Sequence, residues 1–190
     1  MRFLEQVDED AVVSAFLRAE LNSDRFKARL TQLAAGVNPF ERDAAFRREL
    51  LRRHRSWGRN EGLFYGFPAE VDWHRVAATP DEVLAIRYIN WDWWLRISDG
   101  TRDACVAAER IRQGLVPGGD PAQDERVAAT LQSDEPPPEL IALTPPERTP
   151  LVLVEGHVRL TAYAMSPEYL PAELELFVGV AERARDWSEF

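Results

Sequence analysis

The chain has 190 residues and a net charge of −9, from 32 acidic against 23 basic side chains, with 45% hydrophobic and 29% charged residues. That composition is ordinary for a globular protein and long enough for one well-packed domain; it excludes a disordered chain and a basic duplex-DNA binder that works by neutralising phosphates. No apolar run approaches the roughly 20 residues of a membrane helix, and a single cysteine, Cys105, excludes an internal disulfide and a Cys-based zinc cluster.

His54, His74 and His157 are scattered without metal-ligand spacing, and the opening residues Met1 to Asp10 lack a signal h-region. The expected location is therefore the cytoplasm, with a reduced thiol.

The first third reads as helical, an extension over residues 1–60 ahead of a mixed domain over 61–190. Asp8 or Asp10 caps a helix with Val12, Val13, Phe16, Leu17 and Leu21 on its apolar side. Ser23 caps a second, carrying Phe26, Leu30 and Leu33 and stopping at Gly36. Asn38-Pro39 opens a third that runs to Arg55. This third helix holds the densest basic cluster, Arg47, Arg48, Arg52, Arg53, His54 and Arg55. It reads as a solvated face balanced by Glu41, Asp43 and Glu49, or alternatively as a flank for an anionic substrate or a partner protein.

Residues 57–70 are rich in glycine and aromatics without a period, which marks a loop. Val71 to Val76 alternates as a strand, and Thr79-Pro-Asp-Glu82 is a capping box that predicts a helix to Tyr88. In Trp91-Asp-Trp-Trp94 the tryptophans suit core and rim packing, with Trp94 the alternative choice for stacking on a base. Ser98 to Thr101 is a turn or cap cluster, followed by a helix from Arg102 to Arg112. Cys105, among alanines and valine, reads as a buried small hydrophobe.

Residues 115–138, with Pro117-Gly-Gly-Asp-Pro121 and Pro136-Pro-Pro138, read as a mobile excursion able to cover a site as a lid. Leu140 to Leu143 and Leu151 to Val154 form a strand pair across the turn Thr144 to Pro150. The latter strand is a continuous apolar run buried on both faces. Beyond Gly156, Val158, Ala162 and Met165 form the stripe of an amphipathic helix. Strand, glycine turn and helix together point free backbone N–H groups at a ready anion site. Arg159 and His157 stand in that first turn, where a cation is mildly unfavourable. Either Glu155 neutralises Arg159 within the protein, or an anion arrives from outside. Leu174 to Val180 is the last strand, and Trp187 is expected to dock on the body.

At Gly156, Arg159 and Ala162 the chain resembles the ParB/sulfiredoxin superfamily, in which Gly-x-x-Arg-x-x-Ala opens a helix between two strands; the match covers roughly residues 140–180. The form Glu-Gly-His-x-Arg is most similar to stand-alone members that bind or turn over nucleotides. The resemblance implies an α+β fold, a small mixed sheet with packed helices. It also implies a nucleotide of the ATP, ADP or CTP class as ligand, with Mg²⁺. In that reading Gly156, Ser98, Thr101, Arg102 and Trp94 bind the nucleotide. Glu155, His157 and Arg159 are catalytic, and Glu155 reaches the metal through water. The implied activity is a nucleotide-dependent phosphotransferase or NTP hydrolase acting on a small molecule. The alternative is a non-catalytic nucleotide-sensing module whose N-terminal helices contact a partner or a second copy, and a ParB-like nuclease comes third. Sulfiredoxin chemistry needs a cysteine where His157 stands. Chromosome partitioning needs a DNA-reading domain, and residues 181–190 are too few for one.

Overall fold

The computed structural model describes residues 1–116 and 139–190. Apart from Leu115 and Val116, the excursion expected at 115–138 and its part as a lid lie outside the described residues. Five strands form one mixed sheet: β1 (Arg2–Gln6), β2 (Asp72–Ala78), β3 (Ile141–Thr144), β4 (Val152–Glu155) and β5 (Leu174–Val180), in the order β1-β2-β5-β3-β4. Only β3 and β5 run parallel; the other neighbours are antiparallel. The described residues also form seven α-helices: α1 (Glu9–Leu21), α2 (Lys27–Leu33), α3 (Ala44–Arg55), α4 (Pro80–Leu84), α5 (Asp92–Ile97), α6 (Ala104–Arg112) and α7 (His157–Met165). The fold is mixed α+β with an N-terminal helical segment, as the sequence predicts. No helix among the described residues is long and apolar enough to cross a membrane.

The sheet is covered on both faces, and the period-2 alternation of its strands sorts the residues. Ile141, Leu143, Val152, Val154 and Phe177 pack with Val12, Phe16, Leu17, Leu30 and Leu51 of α1, α2 and α3. Ala142, Leu153, Leu176 and Val178 face the other way and pack with Val83, Ile97, Ala107 and Leu160 of α4 to α7. The N-terminal helices thus share one continuous core with the strands.

Local chemistry explains most element ends, and several differ from the expected ones. Asp8 caps α1 by accepting from Ala11 N at 2.9 Å. Asn38-Pro39 opens only a short 3-10 turn, Pro39–Glu41, because Asp43 offers a second cap and accepts from Phe46 N at 2.9 Å. The capping box of Thr79 and Glu82 forms, with both reciprocal bonds present. Its helix ends at Leu84 instead of Tyr88, because the backbone of Arg87 is drawn onto the open edge of β4. Arg87 N donates to Leu151 O at 2.9 Å, and Arg87 O accepts from Leu153 N at 2.8 Å. That contact covers an edge that would otherwise present unpaired backbone groups. The helix expected from Arg102 starts at Ala104, capped by Asp103, which accepts from Cys105 N at 2.7 Å. Cys105 is exposed, not buried, because it lies on the side of α6 away from Ala104, Ala107 and Ala108. Trp187 docks as expected, 2% exposed, with its indole N–H on Leu63 O at 2.7 Å.

Candidate functional site

β4 ends at Glu155, and Gly156 turns the chain into α7 with φ 106° and ψ 19°. A side chain is strained at that φ, and close packing adds a second reason for glycine. A Cβ there would lie 2.4 Å from Leu140 Cδ2 and 3.0 Å from Arg159 Nη2. No side chain caps the N-terminus of α7, and its first turn holds no acidic residue.

Arg159 lies one turn into α7 with its side chain 15% exposed, beside Glu155 at 17%. Their closest approach, 3.6 Å from Nη2 to Oε1, is an ion pair without a hydrogen bond. Nη2 donates to Glu139 O at 3.3 Å, and Nε is buried without a hydrogen-bond partner. Burial pushes the Glu155 carboxyl above its usual range, against the pull of Arg159. Burial also lowers the Arg159 pKa, with Glu155 working in the opposite sense. Desolvation outweighs mutual attraction for both partners. An arginine does not release its proton, so this guanidinium stays charged beside Glu155, with its Nε left without a hydrogen-bond partner.

His157, the first residue of α7, is 9% exposed. Its ring stacks on Trp94 with centroids 4.9 Å apart and planes at 23°. Tyr88 stacks on Trp94 at 4.8 Å and lies 6.1 Å from His157. On opposite faces of the indole, Tyr88 and His157 would be separated by nearly the sum of the two stacking distances, so they share one face. The Tyr88 hydroxyl meets Thr161 Oγ1 at 2.6 Å, and that hydroxyl donates to His157 O at 2.9 Å, fixing the turn. His157 Nε2 is buried without a partner. Burial first, then the charges of Arg55, Arg159 and Arg102, lower its pKa to about 3. The imidazole is neutral at pH 7.

The structure therefore brings Glu155, Gly156, His157 and Arg159 together, with Trp94 joined through His157. The upstream loop is placed differently. The guanidinium of Arg102 donates to Tyr88 O at 2.7 Å, Phe190 O at 2.8 Å and Glu189 O at 2.9 Å. Ser98, fully buried, donates to Trp94 O at 2.7 Å and accepts from Arg102 N at 2.9 Å. Thr101 donates to Ser98 O at 2.6 Å. These three side chains hold the loop and residues 189–190 in place, so their donors end on this chain's own backbone.

Glu20, absent from the sequence reading, pairs with His54 and Arg55 of the basic cluster expected on the third helix. Glu20 of α1, 2% exposed, meets His54 Nε2 of α3 at 2.6 Å and Arg55 Nε at 3.6 Å. The charges of Glu20 and Arg55 act on Glu155, and Arg55 acts on His157. A signal for them exists in the sequence. Glu20 follows Phe16 and Leu17, and His54 follows Leu50 and Leu51, at the i+3 and i+4 spacing of a buried stripe.

Among the described residues, no group of three or more His, Cys, Asp or Glu side chains is arranged to hold a metal ion. Glu155 faces a guanidinium and its carboxyl is shifted toward the protonated form, a poor setting for a hard divalent cation. The residues present do not fit Mg²⁺.

No family model matches the chain, and no curated protein or solved structure is significantly similar to it. The resemblance at Gly156, Arg159 and Ala162 stands on those residues and their turn alone.

Proposed function

We propose that the protein is a binding module for a small phosphate-bearing molecule, a nucleotide by class, seated at the turn from β4 into α7. One observation carries this reading: His157 Nε2, Arg159 Nε and Arg55 Nε are all buried without hydrogen-bond partners, and both arginines act electrostatically on His157. Buried polar atoms in native proteins are nearly always satisfied. An anion supplies acceptors and the missing negative charge together. A guanidinium fork matches phosphate oxygens, the uncapped amides of α7 add donors at its positive end, and a neutral imidazole can donate its one ring N–H.

Nucleotide-dependent phosphoryl transfer to a small molecule is the second reading. It is favoured by Glu155, a carboxyl with a raised pKa at the same turn as a neutral histidine, which suits a general base. Sensing comes first because Glu155 is engaged with Arg159 and no carboxylate cluster for Mg²⁺ accompanies it among the described residues.

The test is a thermal-shift panel of ATP, ADP and CTP, with and without Mg²⁺, on wild type and Arg159→Ala. A ligand at 100 times its Kd stabilises by about 2.7 kcal/mol, and the variant should lose most of that gain. A wild-type protein indifferent to every nucleotide at millimolar concentration would sink the reading. Phosphorylated product on an added hydroxyl compound would move the assignment to a phosphotransferase.

A further inference from the structure

We infer that Tyr163 is a further binding residue of this site, its hydroxyl donating to the same phosphate group as Nε of Arg159. The inference rests on the anion reading above and adds a donor from the next turn of α7. Arg159 and Tyr163 stand four residues apart on that helix, so their side chains are neighbours on one face. Long helical side chains lean toward the helix N-terminus. Arg159 does so: a Cβ on Gly156 would lie 3.0 Å from its Nη2 and 3.5 Å from its Nε. The same lean lays the Tyr163 ring along the stem of Arg159 and carries its hydroxyl toward the guanidinium. One turn advances about 5.4 Å, a span that a tyrosine side chain covers.

The turn that carries Tyr163 is fixed. Leu160 and Ala164 pack into the core with Leu153 and Val178, and Arg112 Nη2 donates to Ala164 O at 3.1 Å and Met165 O at 2.6 Å. Tyr163 itself is 3% exposed yet belongs to neither apolar cluster. Its hydroxyl has no hydrogen-bond partner among the described residues, although a buried tyrosine usually finds one. Burial raises the phenol's pKa above its ordinary value, with Arg159 acting in the opposite sense. The hydroxyl therefore keeps its proton at neutral pH and can donate to an oxyanion.

Two donors at adjacent turns are thus left open, Arg159 Nε and the Tyr163 hydroxyl. Glu155 answers neither, since its carboxylate approaches Arg159 at Nη2 and stands a turn away on the N-terminal side. A phosphate group presents several acceptor oxygens and can bridge the two donors.

The experiment is isothermal titration of inorganic phosphate into wild type, Tyr163→Phe and Arg159→Gln, with each melting temperature measured first. Wild type should bind phosphate. Tyr163→Phe removes a hydroxyl that bonds nothing in the free protein, so it should melt at or above the wild-type temperature. Its phosphate affinity should fall by about tenfold or more, the loss of one hydrogen bond to a charged group. Lower stability with unchanged affinity would assign the hydroxyl to the fold and overturn the inference. If Arg159→Gln loses binding and Tyr163→Phe does not, the inference falls and the anion reading stands. If wild type binds no phosphate, both fall. A second measurement does not depend on how the variant folds. With the four tyrosines labelled at Cζ, phosphate should shift the Tyr163 carbon resonance of wild type, and a resonance unmoved at saturation overturns the inference.

Discussion

His157 lies nearly parallel to Trp94, with ring centroids 4.9 Å apart and planes at 23°. The stack keeps water from one face of the imidazole, and three arginines oppose its protonation, so its pKa falls to about 3 from an ordinary 6.5. Between those two values the unfolded chain binds the extra proton. The stability gained from holding His157 neutral is therefore complete above the ordinary pKa and is lost as pH falls toward the depressed one. NMR titration should show the His157 ring resonances flat from about pH 8 to pH 5. His157→Phe, which keeps an aromatic stack, should flatten this part of the acid limb of stability. A ring midpoint near the ordinary value would remove the basis for a buried, neutral histidine.

Gly156→Ala should be costly for two separate reasons. The residue sits at φ 106°, and the added Cβ would meet Leu140 Cδ2 at 2.4 Å and Arg159 Nη2 at 3.0 Å. Left-handed strain of about 1–2 kcal/mol adds to overpacking of about 1–3 kcal/mol. Denaturant unfolding should show a loss of about 2–5 kcal/mol, and anion affinity should fall as Arg159 is displaced. A variant as stable as wild type would mean that the turn is wrongly described.

Arg102→Lys separates a structural role from a ligand role. Three guanidinium donors on Tyr88, Glu189 and Phe190 carbonyls tie residues 189–190 to the body, and Asn90 N donates to Glu189 O at 3.1 Å beside them. A lysine cannot make that fan. Stability should drop by about 1.5–3 kcal/mol, and hydrogen exchange at Asn90 should accelerate, with phosphate affinity little changed. Lost affinity with an undisturbed Asn90 amide would return Arg102 to the ligand.

Cys105 is exposed, yet its thiol pKa is raised, mainly by partial burial and then by the nearby Asp103 carboxylate. The folded protein should react with an aromatic disulfide reagent to completion, more slowly than the unfolded chain at the same pH. A thiol that reacts only after denaturation would contradict the exposed position on α6.

The sequence by itself determined the elements whose causes are local. The caps at Asp8 and Thr79, the apolar runs of β4 and β5, and the Gly156 turn are set by residues within a few positions of one another, and their chemistry can be read in order. It also placed Glu155, His157 and Arg159 correctly beside each other, since one turn carries all three. Tertiary structure alone decided the rest. β1 is mostly exposed and has no apolar alternation; hydrogen bonding to β2 makes it a strand. Whether Arg102 meets a ligand or a carbonyl, and whether Glu20 and His54 face water or are buried against each other, depends on segments distant in the chain. A buried charge takes its partner from whatever the fold brings within a few ångströms, and that information is long-range.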